Sequence, residues 1–404
     1  MEYINLRKIY YENQKNTQVW ENEYKQRFNN PSSEHLGIFI KEINRKNEYE
    51  AFFCYTKEII NLQEKIFTEF LKLKELINII PGAGINQFLY SCLIDEIKSS
   101  NDIENVKSTR REIKEAVLQQ EKPNSKVRLW GIVNKYIKII HKENIPLKTC
   151  EDVRTLYDDF ILDEIIREDK EDRPDGILFR KESVDVGANF QKPIHKGIYP
   201  ESKIIEYMDK ALKLLRDSNI PRLIRIAVFH YLFGYIHPFY DGNGRMSRFI
   251  TSYYLSKYLN AVVALRLSLL IKKHRTQYYK MFEITTSEYN KGDLTPFIIW
   301  SLEFILLAVK DTKIILSCKY NEYISLKEKL SNLSIYDNTS IRIYNILLQA
   351  TIFSDIGATI KEIAATTNKS EKTIGIKLRN IPKDHIIIDD SSRPYHYKLN
   401  MNIL

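Results

Sequence analysis

The sequence predicts a mostly α-helical protein of three parts, closed by a C-terminal winged helix-turn-helix unit. Three observations carry that expectation. Apolar residues recur every three or four positions in long stretches such as 58–80, "EIINLQEKIFTEFLKLKELINII", the period of an amphipathic helix. The stretch 221–236, "PRLIRIAVFHYLFGYI", is apolar on most faces, as a buried central helix must be. The tail, 359–400, runs through two short helical segments, then two alternating segments separated by "DDSSRP", the order of a winged helix.

The remaining elements follow along the chain. "PGAG" (81–84) marks a break after the first long helix, because Pro and Gly do not continue one, and 85–100 resumes helical periodicity. The charged run 167–176 reads as a loop, and "ILFRKESVDVG" (177–187) alternates like a short strand or hairpin. Helix returns at 200–218, with Pro200 before it and Glu201 near its start. In the tail, a turn is expected at Thr367–Asn368, with Ser370 capping the second helix.

At roughly 150 residues per domain, 404 residues suggest two or three domains, and 44% hydrophobic residues are enough to bury real cores. The excess of 61 basic over 52 acidic residues, a net charge of +9, is compatible with nucleotide or nucleic-acid partners but selects neither. Cys54, Cys92, Cys150 and Cys318 lie far apart, which argues against a zinc site or a disulfide framework. No secretory signal and no membrane-length apolar stretch is evident, so a cytoplasmic location without membrane contact is expected.

Residues 237–248, "HPFYDGNGRMSR", concentrate the chemistry. A helix follows Gly244, and a helix N-terminus presents unpaired N–H groups to anions. Gly242, Asn243 and Gly244 let backbone approach a phosphate closely. Arg245 and Arg248 are three apart and share a helix face, a pair of guanidiniums suited to a di- or triphosphate. Asp241 would repel phosphate unless a cation stood between them, and Mg²⁺ is the cation that bridges carboxylate and phosphates. His237 can accept a proton from an attacking hydroxyl. Taken singly, each feature has a bland reading as turn, core histidine or solvated face. Together they describe Mg²⁺-assisted transfer of a phosphate-containing group to a hydroxyl.

At every specified position this stretch matches HxFx(D/E)GNGRxxR, and the chain therefore resembles the Fic (Fido) family. The resemblance implies a helical Fic core with a short β-hairpin flap. It implies transfer of AMP from ATP to a Ser, Thr or Tyr hydroxyl of a protein target, the chain itself included. It makes His237 the general base, Phe239 a packing anchor, Asp241 the Mg²⁺ ligand, and Gly242, Asn243 and Gly244 the anion hole. Arg245 would take the phosphates and Arg248 the γ-phosphate. By the same resemblance 183–200 is the flap that docks the target backbone, with His195 a loop residue rather than a catalyst. Tyr279 and Asn290 are candidates for contact with adenine.

Upstream, Ser100, Glu104 and Asn105 fit the family's inhibitory pattern (S/T)xxxE(G/N). Ser100 and Glu104 are an i,i+4 pair on one helix face. The resemblance implies that the Glu104 carboxylate occupies Arg248 and so misorients ATP. In some relatives the same glutamate supports removal of AMP, which is kept open here. Thr17, Glu21 and Asn22 also fit the pattern, but near the N-terminus rather than after a long amphipathic helix.

The expected organisation is a helical N-terminal region with the inhibitory helix (1–155), a Fic catalytic core (156–312), a helical linker (313–335) and a winged-helix domain (336–404). Two rival readings are carried. The core could move UMP, a phosphate or phosphocholine instead. Or the chain could be a DNA-binding regulator acting through 369–379, where Lys369, Lys372, Thr373, Lys377 and Arg379 stand, with Arg393 on the wing. Winged helices also serve as protein-interaction modules, and a homodimer is left open.

Overall fold

A computed structural model describes residues 3–119, 127–187, 193, 195–333, 337–390 and 394–404. It is mostly helical, as the periodicity demands. The helix Arg222–Ile236 is buried on nearly every side. It packs against Glu201–Arg216, Asn243–Tyr258 and the 37-residue helix Thr295–Ser331. That central position explains its uniformly apolar sequence and delivers the chain into His237. The helix Lys57–Ile79, capped by the Thr56 hydroxyl accepting from Ile59 N–H, lies along Thr295–Ser331.

Three expectations need correction. "PGAG" breaks the chain only at Ile80–Pro81, and the next helix runs from Gly82 to Ile103 with both glycines in its first turn. Gly84 serves close approach instead. A Cβ there would come within 2.9 Å of the Phe353 ring. Secondly, the N-terminal region is not wholly helical: Ser33–Ile40 and Tyr49–Cys54 form an antiparallel hairpin. Ala51, Phe52, Phe53 and Cys54 are all buried, so that strand lacks the alternation that betrays a half-exposed one. Phe52 also exchanges backbone hydrogen bonds with Gly292 and Leu294, covering its edge. Thirdly, the boundary expected at 312/313 falls inside the unbroken helix Thr295–Ser331.

The C-terminal unit comprises helix Asn338–Phe353, strand Ala358–Thr359, helices Ile360–Thr367 and Glu371–Asn380, and strands Ile386–Asp389 and His396–Leu399. The last strand lies between the other two in an antiparallel sheet. Asn368 takes the left-handed conformation (φ 60°) that ends the first short helix, and the Ser370 hydroxyl accepts from Thr373 N–H at the start of the second. This unit rests on the helix Gly82–Ile103 and its neighbour Arg110–Leu118. Gln349 accepts from Gly84 N–H (2.9 Å), Arg110 pairs with Asp355 (2.7 Å) and Lys114 with Asp389 (2.6 Å). Among the described residues no helix is long and apolar enough to cross a membrane.

Candidate active site

The loop between the two core helices is set by its own residues. His237 caps the helix Arg222–Ile236 in a left-handed conformation (φ 52°), and Gly242 (φ 82°) opens Asn243–Tyr258. Phe239 is fully buried and stacks on Tyr157, ring centroids 3.7 Å apart. The Asn243 side chain closes the loop: its oxygen accepts from Phe239 N–H (3.0 Å) and its amide donates to Phe239 C=O (2.8 Å). The loop thus takes up the Asn243 side chain, which leaves only its backbone N–H for the expected anion hole. Asn243→Ala would leave both buried groups of Phe239 unpaired. The expected loss is about 2–4 kcal/mol of stability, read as a lower urea midpoint.

A cavity of about 340 Å³ opens beside this loop, lined by His237, Asp241, Gly244, Arg248, Glu104 and Tyr279 among others. A roomier groove of about 510 Å³ lies between Trp130 and Arg167, but it gathers neither the histidine nor the glycines. The imidazole of His237 is half-buried, with Nδ1 3.3 Å from Gly234 O, which assigns Nδ1 as the donor and leaves Nε2 as a free acceptor. Burial, with the charges of His195 and Arg180 nearby, holds its pKa well below the ordinary histidine value. It is therefore neutral and able to accept a proton. His195 itself is buried with Nε2 3.0 Å from Tyr235 O. It lies in a short strand, His195–Lys196, paired with Asp185–Val186 rather than in a loop. Of the expected flap, 188–192 and 194 are outside the described residues.

Arg245 is buried and pairs with Asp241 (2.7 Å), while its Nε and Nη1 find no hydrogen-bond partner among the described residues. Two spare buried donors beside a glycine turn suit an anion. Among the described residues no three His, Cys, Asp or Glu are gathered for a metal. The single carboxylate of Asp241 fits a cation that arrives on nucleotide phosphates.

Arg248 is fully buried, and each of its three nitrogens has a partner. Its Nε donates to Ser100 Oγ (3.0 Å), Nη2 to Ser100 C=O (2.9 Å) and Nη1 to Glu104 Oε1 (2.7 Å). Burial alone would lower its proton affinity, but the neighbouring Glu104 outweighs that, and the net shift is upward. Glu104 is the C-cap of Gly82–Ile103, and Asn105 follows at φ 60°. A left-handed residue must end this helix, which is why Asn or Gly is suited to the position after the glutamate. The Glu104 carboxylate also lies directly over Gly244, where any Cβ would collide with it. Glu21, by contrast, pairs with Lys291 (2.7 Å) and does not line the cavity.

Of the two adenine-side candidates, only Tyr279 lines the cavity. Asn290 is fully buried elsewhere, its amide donating to Thr285 O and Asp293 O to hold the turn after helix Arg275–Thr286. The residues missed are Arg275, Tyr278 and Phe282, which share the cavity wall with Tyr279. Their i, i+3, i+4, i+7 spacing from Arg275 was a readable signal for one helix face. In the tail, Lys369, Lys372 and Arg379 are exposed and Thr373 is half-buried. Lys377 pairs with Asp337 (2.9 Å), and Arg393 lies outside the described residues.

Residues 149–255, which include this loop, match the sequence model of the Fic/DOC family. This match identifies a Fic/DOC segment within the chain. The Fic segment is similar to the protein adenylyltransferase Fic of Drosophila melanogaster, 28% identical over 124 residues, which is 31% of this chain and 23% of that one. The Drosophila ananassae protein of the same name is similar at 28% over 124 residues, 22% of its length. The match thus spans less than a quarter of these relatives. A crystal structure of a Fic family protein from Desulfovibrio desulfuricans G20 superposes with a TM-score of 0.51 at 20% identity, over 85% of this chain and 96% of that one. That likeness shows a shared fold well beyond the Fic segment.

Proposed function

We propose that this Fic protein is a protein adenylyltransferase held in check by its own Glu104. The single observation that carries the reading is the occupation of all three Arg248 nitrogens by Ser100 and Glu104, in the same cavity as a neutral His237. A base and a cationic phosphate site facing one space suit transfer from a nucleoside triphosphate, and the curated relatives carry that activity in their names.

In this reading ATP lies along the start of helix Asn243–Tyr258. Backbone N–H groups of 242–244 and the spare donors of Arg245 hold its phosphates. Asp241 would hold the accompanying Mg²⁺, which neutralises charge on the phosphates when bound. His237 Nε2 takes the proton of a target Ser, Thr or Tyr hydroxyl. The oxygen attacks the α-phosphorus, the bond to the β-phosphate oxygen breaks, and pyrophosphate leaves. Positioning and charge stabilisation supply the rate. While Glu104 holds Arg248, the γ-phosphate lacks its cation and ATP sits out of line. The same carboxylate could orient a water for removal of AMP.

ATP labelled at the α- or the γ-phosphate separates the readings. With the Glu104→Gly variant, protein-bound label from the α-position alone is expected. Label from the γ-position would mean phosphate transfer and overturn the adenylyl reading.

A further inference from the structure

We propose that Arg180, outside the HPFYDGNGRMSR stretch, is a positioning residue that staples the His237 loop to both stems of the strand pair Asp185–Val186 and His195–Lys196. The proposal rests on the adenylyl-transfer reading, in which a hydroxyl must meet the imidazole.

Arg180 is fully buried, yet none of its nitrogens pairs with a carboxylate among the described residues. Each goes to a main-chain carbonyl on a different segment. Nε donates to His237 O (2.9 Å), Nη2 to Ile198 O (2.8 Å), and Nη1 to Glu182 O. Its backbone N–H donates to Pro238 O (3.2 Å). One side chain therefore ties the catalytic loop to the chain entering one strand and leaving the other. Burying a guanidinium without a counter-ion is unfavourable, and burial pushes its pKa down to about 10. An apolar residue would fill the space without that cost. Only a rigid planar fork of donors satisfies carbonyls in several directions at once.

The segments it joins need joining. His237 is a non-glycine residue at positive φ, a conformation that surrounding structure must impose. The strands have two residues each, too short a pairing to persist alone. Asp185 and Val186 line the cavity beside His237, so the pair forms the wall a target would dock against. Gly197 is fitted to this arrangement. A Cβ there would collide with Arg180 Nη2 and come within 3.2 Å of His237 Cβ. Since a misplacement near 1 Å costs about a hundredfold in rate, loss of the staple shows in transfer rather than in nucleotide binding.

The test uses full-length protein carrying Glu104→Gly, with Arg180→Gln, Arg180→Lys or Gly197→Ala added. Adenylyl transfer, the ATP dependence of its rate and the thermal midpoint are measured side by side. Arg180→Gln is expected to lower kcat by roughly 10- to 100-fold with the KM for ATP within about twofold of the parent. Arg180→Lys, which keeps the charge but not the fork, should recover little. Gly197→Ala disturbs the same contact while leaving the guanidinium intact, and is expected to lower kcat with a near-parental midpoint. It decides the matter should Arg180→Gln not fold. Parental transfer by either folded variant overturns the proposal, as does an equal loss of ATP binding and transfer. A Glu104→Gly parent that transfers nothing overturns the function instead.

Discussion

Glu104→Gly is expected to raise self-adenylylation by about 10- to 100-fold, the effect of returning one charge-assisted contact of roughly 1.5–3 kcal/mol to the reacting nucleotide. In the resting chain each of the three Arg248 nitrogens is already engaged, because Ser100 takes Nε and Nη2 and Glu104 takes Nη1. Glycine removes the carboxylate over Gly244 and preserves the helix end, where Asn105 already supplies the left-handed residue. Adding Arg248→Ala to Glu104→Gly should abolish the gain, since the proposed reading gives the freed guanidinium to the γ-phosphate. Glu21→Gly removes only the partner of Lys291 and should leave the rate at the wild-type level. Incorporation of α-labelled ATP by these variants reads all three outcomes. Activation by Glu21→Gly, or none by Glu104→Gly, contradicts the assignment.

His237→Ala in the Glu104→Gly background is expected to lower transfer by about 10²- to 10⁴-fold, the usual contribution of a general base. ATP affinity should stay close to the parental value, because in the proposed reading the phosphates meet Arg245, Arg248 and backbone N–H groups rather than the imidazole. The wild-type residue carries a pH signature as well. A base works in its neutral form, and burial holds the His237 pKa far below the ordinary value. Its protonation therefore begins only well below that value, and the rate should not fall through it as pH drops from 8 to 6. Calorimetric titration of ATP alongside labelled transfer checks the split. Unchanged transfer without the imidazole removes His237 from the chemistry.

What was legible in the sequence was what is contiguous or periodic. The twelve residues 237–248 carry base, carboxylate, glycine turn and arginines together, so their joint chemistry could be argued before any fold was known. The central helix announced itself by lacking a polar face. The partnership of Glu104 with Arg248 spans 144 positions, and only the resemblance suggested it. Local pattern could not separate Glu104 from Glu21, which fits the same spacing; the packing of Gly82–Ile103 against the core separates them. Asn290 and Tyr279 looked alike as adenine candidates, yet the Asn290 amide nitrogen is spent on two carbonyls and the residue does not line the cavity. The strand Tyr49–Cys54 was hidden because burial on both faces erases alternation. Arg180 was hidden because its partners are carbonyls, which have no letter in a sequence.

The most direct test of the account is the intact mass of wild-type chain and Glu104→Gly after incubation with ATP and Mg²⁺. The expected result is one or more added adenylyl groups on the variant, with the wild type largely unmodified. Equal modification of the two proteins, or an added phosphate in place of an adenylyl group, would contradict it.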